Sequence, residues 1–128
     1  MNEHFKTTLS KWHEFVATQN AEILGEIFDE NIKFHSPFIW KPKEGKLMAT
    51  KIITTVVTVF ENFKYVREIE GETDCVLEFE ANIGELTLRG VDLIKVNADG
   101  KIIDFEVMVR PANALQVLGM EMGKRLGI

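Results

Sequence analysis

The chain has 128 residues, one domain's worth, and is long enough to bury a core without disulfide or metal staples. Hydrophobic residues make up 45% of it and charged residues 27%, with a net charge of -5, so an ordinary globular protein is expected. The absence of a basic stripe argues against a nucleic-acid partner, and no apolar run approaches the ~20 residues of a membrane span. Cys75 is the only cysteine, so no internal disulfide forms, which suits a reducing cytoplasm; it reads as a small core hydrophobe at the start of a strand. The run Met1 to Lys11 is too polar for a signal peptide.

The spacing of Leu9, Trp12, Phe15 and Val16 predicts an amphipathic helix from about Thr8 to Gln19. After a break near Asn20, a shorter helix carries Ile23, Leu24, Ile27 and Phe28 and ends at Asp29-Glu30-Asn31. Ile32, Phe34 and Ser36 then alternate with Lys33 and His35 in a short strand that stops at Pro37. Phe38 to Gly45, with its proline and glycine, reads as an ordered loop. From Lys46 to Phe60 a wide apolar face predicts a third helix, with a strand as the alternative because IITTVVTV is rich in β-branched residues. Phe63 to Ile69 and Cys75 to Ile83 alternate as strands, joined by the Glu70-Gly71-Glu72 turn, and Ile83-Gly84-Glu85 makes a second tight connection. The tail from Ala112 to Leu126 has Leu115, Leu118, Met122 and Leu126 at helical spacing.

Gly90 to Pro111, GVDLIKVNADGKIIDFEVMVRP, predicts two strands joined at Asp99-Gly100. A two-residue loop pairs Ala98 with Lys101, Val96 with Ile103, Ile94 with Phe105 and Asp92 with Val107. One face is then apolar except for Asp92. A three-residue loop with a Gly100 bulge would set Asp92 against Glu106, so the first register is preferred. Asp92 is left as a lone carboxyl among hydrocarbon, where desolvation should raise its pKa. Gly90, two residues earlier on that side, marks either a bulge or a close approach to the backbone.

Helix, helix, short strand, helix and then four tightly connected strands predict an α+β fold: a cone-shaped, curved antiparallel β-sheet with helices packed on its concave face and a pocket at the mouth. In this order of elements, and in HSPFIWKPKEG, VDLIKVNADGKI and VMVRP, the chain resembles the nuclear transport factor 2-like superfamily with its cystatin-like fold. Within it the similarity is to the SnoaL-like branch, over residues 1–128 as a single domain. The hairpin also resembles that of ketosteroid isomerases, which keep an aspartic acid protonated to hold the substrate oxyanion. That aspartate lies eight residues before the hairpin glycine, as Asp92 does before Gly100. The isomerase base, an aspartate before a proline, corresponds to Ser36 before Pro37, and the oxyanion tyrosine corresponds to Trp12. With both changed, the resemblance does not imply steroid isomerisation. SnoaL-like cyclases use a pocket acid as acid or base, which Asp92 could supply. Limonene epoxide hydrolases use an Asp-Arg-Asp set, but Arg89 and Arg110 fall on the other face here.

Asp92 is the candidate catalytic or ligand-contacting residue; the bland reading makes it a structural carboxyl bonded to Trp12, Tyr65 or His35. Around it the candidate pocket comprises Trp12, Ser36, Phe38, Trp40, Tyr65, Phe79, Phe105 and Val107, and plain core packing is the alternative for its aromatics. His35 and Ser36 are strand neighbours pointing oppositely, so they form no relay, although His35 or water could serve an isomerase as base. No His, Cys or Glu grouping has metal-ligand spacing, and no metal or cofactor is expected. The expected partner is a small hydrophobic molecule. Three functions are open: a binding protein, an isomerase or cyclase working through Asp92, and a dimeric scaffold whose vestigial pocket is filled by Trp12 and Trp40. The outward set Val76, Val91, Leu93 and Met108 predicts a homodimer packed sheet to sheet.

Overall fold

Asn2 opens the first helix, five residues before the expected start: its side chain accepts from the Phe5 backbone N–H and caps α1 (Glu3–Thr18). The early start has a tertiary cause. The 97–101 turn closes over this end of α1, where Thr8 Oγ1 donates to the Gly100 carbonyl at 2.5 Å and Phe5 is fully buried. Asn20 caps α2 (Ala21–Ile27), after which β1 (Phe28–His35) begins at once, so Asp29-Glu30-Asn31 lies inside the strand. The computed structural model describes residues 1–127 and continues with β2 (Lys43–Glu44), α3 (Lys46–Val59), β3 (Glu61–Glu70), β4 (Asp74–Ile83), β5 (Leu86–Val96), β6 (Ile102–Arg110) and α4 (Ala112–Leu126).

Among the described residues the strands form one curved, unclosed six-stranded sheet in the order β2-β1-β6-β5-β4-β3. All neighbours are antiparallel except β1 and β6, which run parallel. β1 and β2 thus extend the four-stranded meander expected from the sequence. Burial alternates along β4 and β5, giving an inner face of Cys75, Leu77, Phe79, Ala81, Leu88, Asp92, Ile94 and Val96 that the helices cover. Among the described residues no helix is long and apolar enough to cross a membrane.

The segment 46–59 is helical despite its β-branched run. Ala49, Ile52, Ile53 and Val59 are buried, while the hydroxyls of Thr54, Thr55 and Thr58 donate back to carbonyls of Thr50, Lys51 and Thr55. Burial of one face outweighs the modest propensity cost of those residues.

The β5–β6 hairpin corrects the expected turn. Its loop has three residues, Ala98, Asp99 and Gly100: Asn97 N–H donates to Lys101 O, Gly100 adopts φ +81°, and Val96 pairs with Ile102. The pairs Val96–Ile103 and Ala98–Lys101 do not form. Asn97 is the reason, since its Oδ1 accepts from the N–H groups of both Asp99 and Lys101 and tightens the wider loop. An irregularity between Lys95 and Val96 then absorbs one residue, Ile103, so that Asp92 still opposes Val107 and Ile94 still opposes Phe105. Gly90 is not a bulge, because β4 and β5 pair without interruption. A Cβ there would come within 2.4 Å of Phe79 Cζ and 2.5 Å of the Met108 carbonyl oxygen, so the glycine makes room for the Phe79 ring.

Candidate functional site

Near the hairpin the helices meet the sheet, and toward the other end they part from it. The gap is a cavity of about 240 Å³ between the inner sheet face, α1, α3 and α4. The sheet supplies Phe34, Phe63, Tyr65, Phe79, Asp92, Phe105 and Val107; the α1 end supplies Trp12, Val16 and Gln19. The remaining wall comes from Ile52, Ile53, Val56, Val57 and Phe60 around α3 and from Leu118 and Met122 on α4. Ser36, Pro37 and Phe38 stand at the β1 exit. Hydrocarbon and aromatic rings therefore form nearly all of the wall, and Asp92 and Tyr65 are its only titratable side chains among the described residues.

Asp92 points inward because β5 pleats it to the same side as Leu88 and Ile94, and it is only 5% exposed. Tyr65 Oη donates to Asp92 Oδ2 at 2.6 Å, and Trp12 Nε1 donates to Tyr65 Oη at 2.9 Å. Three elements, α1, β3 and β5, thus contribute one residue each to a hydrogen-bonded row. Burial pushes the Asp92 carboxyl up to about 7, with the Tyr65 hydrogen bond pulling the other way. Tyr65 rises well above its ordinary value, first through burial and then through the neighbouring Asp92, and stays a phenol near neutrality. Asp92 Oδ1 has no hydrogen-bond partner among the described residues and is not sealed off, since none of their buried side-chain polar atoms lacks a hydrogen bond. A group with one free oxygen and a pKa close to neutral can donate a hydrogen bond when protonated and accept a proton when not.

Of the residues singled out from the sequence, Trp12, Ser36, Phe38, Tyr65, Phe79, Asp92, Phe105 and Val107 surround this space, and Trp40 does not. Trp40 is 98% exposed, on a shallow outer groove with Ile39, Glu106 and Met108. The loop turns it out because Ser36 Oγ accepts from the N–H groups of Phe38 and Ile39, which curls the chain and lays Phe38 instead against Gly119. A cavity plugged by Trp12 and Trp40 is therefore not what forms. His35 as a base is also corrected: its Nε2 lies 2.7 Å from Asp104 Oδ1, on the side of β1 opposite Phe34 and Ser36. Arg89 sits on the outer face with Glu80 and Glu78, as its register requires. Cys75, buried behind the row, has its thiol pushed up to about 12 by burial and is inert. What the sequence reading missed is the far wall. The α3 stripe was legible as apolar, but nothing in its period tells a face that meets a sheet from one that meets a void.

No family model matches the sequence, and no curated protein matches it. Solved structures do. A steroid delta-isomerase from Pseudomonas aeruginosa is 41% identical, with a TM-score of 0.96 over 99% of this chain and 94% of that one. An uncharacterized protein with a cystatin-like fold from Silicibacter pomeroyi is 33% identical, with a TM-score of 0.88 over 92% of this chain and 84% of that one. An NTF2-like protein of unknown function from Cytophaga hutchinsonii shares the fold at 19% identity, with a TM-score of 0.68 over 87% of this chain and 94% of that one. The chain belongs to the nuclear transport factor 2-like superfamily, and within it is similar to ketosteroid isomerases.

Proposed function

We propose that this chain binds a small, uncharged, largely apolar molecule in the cavity, seats one oxygen of that molecule on Asp92 Oδ1, and exchanges a proton with it there. The observation that carries this reading is the free carboxyl oxygen in an otherwise hydrocarbon wall. That oxygen belongs to a side chain only 5% exposed and has no hydrogen-bond partner among the described residues, and a ligand oxygen would supply one. Similarity to a steroid delta-isomerase supports chemistry beside a carbonyl, in which protonated Asp92 donates to the ketone oxygen and stabilises the enol. Among the described residues no second carboxylate or histidine lines the cavity, and Ser36 Oγ serves the loop, so the proton on carbon would leave to water and turnover would be slow. The test is binding and conjugation of a β,γ-unsaturated ketone. Asp92→Leu should weaken binding at least about tenfold, the worth of a charge-assisted or buried hydrogen bond, and Asp92→Asn should abolish isomerisation. Equal affinity in wild type and Asp92→Leu would remove the reading.

A second copy of the chain on the outer sheet face is the assembly we propose. Val91 opposite Met108, with Val76 and Leu93 beside them, forms an apolar centre. On β6, Arg110 and Glu106 flank Met108, and neither makes an ion pair among the described residues. A two-fold axis through Met108 would set each Arg110 against the other copy's Glu106. Sedimentation should show a dimer, and Arg110→Glu should shift it to monomer.

A further inference from the structure

The row Trp12, Tyr65, Asp92 has a direction that follows from its donors alone. An indole N–H only donates, so the Trp12 contact occupies a lone pair of Tyr65 Oη. Among the described residues the tyrosine's own hydrogen then has one acceptor in reach, Asp92 Oδ2. Oδ2 is thereby committed as an acceptor, and any proton on the carboxyl sits on Oδ1, facing the cavity. We propose that Trp12 is a positioning residue: by donating to Tyr65 it holds the tyrosine hydroxyl on Asp92 Oδ2, reserves Oδ1 for the ligand, and so makes the site switch cleanly between ligands that accept and ligands that donate a hydrogen bond. The proposal deepens the reading that a ligand oxygen meets Asp92 and rests on it for the ligand class.

Few other titratable groups approach this row. His13 on α1 touches Tyr65 edge to face with centroids 5.4 Å apart, and its Nε2 is held 2.7 Å from Glu68 on β3. Cys75 on β4 stays a neutral thiol. The parts of α3, α4, β1 and β6 that line the cavity bring no titratable side chain among the described residues. Protonated Asp92 therefore offers the cavity a donor, and ionised Asp92 offers it an acceptor. A neutral ketone fits the first state and a neutral phenol the second, and apart from Asp92 and Tyr65 no titratable side chain among the described residues lines the cavity.

A matched pair of two-ring probes, 1-tetralone and 1-naphthol, tests it by calorimetric titration on both sides of neutral pH. Wild type should hold the ketone with constant affinity on the acid side and lose about tenfold per pH unit on the alkaline side, with the phenol behaving in the opposite way. In Trp12→Phe the Tyr65 hydroxyl can also accept from Asp92. The ketone-to-phenol ratio should then shrink about fivefold, the value of one modest hydrogen bond, and the crossover should move to higher pH because Tyr65 becomes a weaker donor. Equal losses for both probes with an unmoved crossover would mean that Trp12 only packs, and would overturn the proposal. A measurement on the unaltered protein stands apart from folding of the variant and from any ligand. The Trp12 indole N–H proton resonance should titrate together with the Asp92 carboxyl carbon, while that of the exposed Trp40 stays flat. A Trp12 resonance that ignores the Asp92 titration overturns the relay. If the resonances titrate together and neither probe binds, the relay stands and the ligand reading fails.

Discussion

The hairpin end of the cone and its mouth are lined by the same kinds of side chain, yet one is solid and the other hollow. At the hairpin end Phe5, Phe28, Ile32, Ile94 and Ile102 are each at most 2% exposed and fill the space between α1, α2 and the sheet. At the mouth Val56, Val57, Phe60 and Tyr65 are only partly buried against that core and face the cavity. The difference is one of geometry. The sheet is curved, and across the gap beneath α3 the short aliphatic side chains of that helix leave a cavity of about 240 Å³ unfilled. Hydrophobic composition therefore fixes that a surface leaves water, while curvature decides whether it meets protein or a ligand.

Truncating the solid side should have the largest effect. Phe28→Ala should cost about 3–5 kcal/mol in urea unfolding, the range for aromatic deletions that leave a cavity; a loss near 1 kcal/mol would mean that the hairpin end is no better packed than the mouth. Next in size is the pH dependence that Asp92 builds into the mouth. The unfolded carboxyl titrates near ~3.9 and the folded one at about 7, so between the two the folded state holds an extra proton. Stability should be full below about pH 4, fall by about 1.4 kcal/mol per unit as pH rises, and level off above about pH 7. Asp92→Asn should flatten this slope, and a slope that persists in the variant would move its origin elsewhere.

Gly90→Ala sharpens the boundary between the two ends. The Phe79 ring could swing away from the added methyl, but the Met108 carbonyl belongs to the β6 backbone, so a loss of about 1–3 kcal/mol is expected by the usual cost of overpacking. A neutral result would show that β5 and β6 can part there. The smallest effect should come from the hollow side: Val56→Ala should cost under about 1 kcal/mol, because the lining already lacks neighbours across the cavity. Its affinity for a two-ring ketone should fall by more than its stability does.

The sequence alone determined the parts of this protein whose signals are local. Period-two alternation placed β4 and β5, helical stripes placed α2, α3 and α4, and the isolated aspartate in VDLIKV marked the inner face, because a strand's pleat assigns sides without reference to anything else. Asp92 opposite Val107 was legible for a reason only partly correct. The preferred two-residue loop does not form, and a bulge at Ile103 restores the same pairing. Tertiary structure decided what depends on distant partners. The start of α1 follows the hairpin that closes on it, Trp40 is turned outward by a Ser36-centred loop, and β1 pairs in parallel with a strand some seventy positions later. It also decided which of Trp12, Tyr65 and His35 would reach Asp92. Hydrogen bonds between α1, β3 and β5 depend on angles and separations that a one-dimensional pattern does not encode, whereas the tendency of each side chain to leave water is written at its own position.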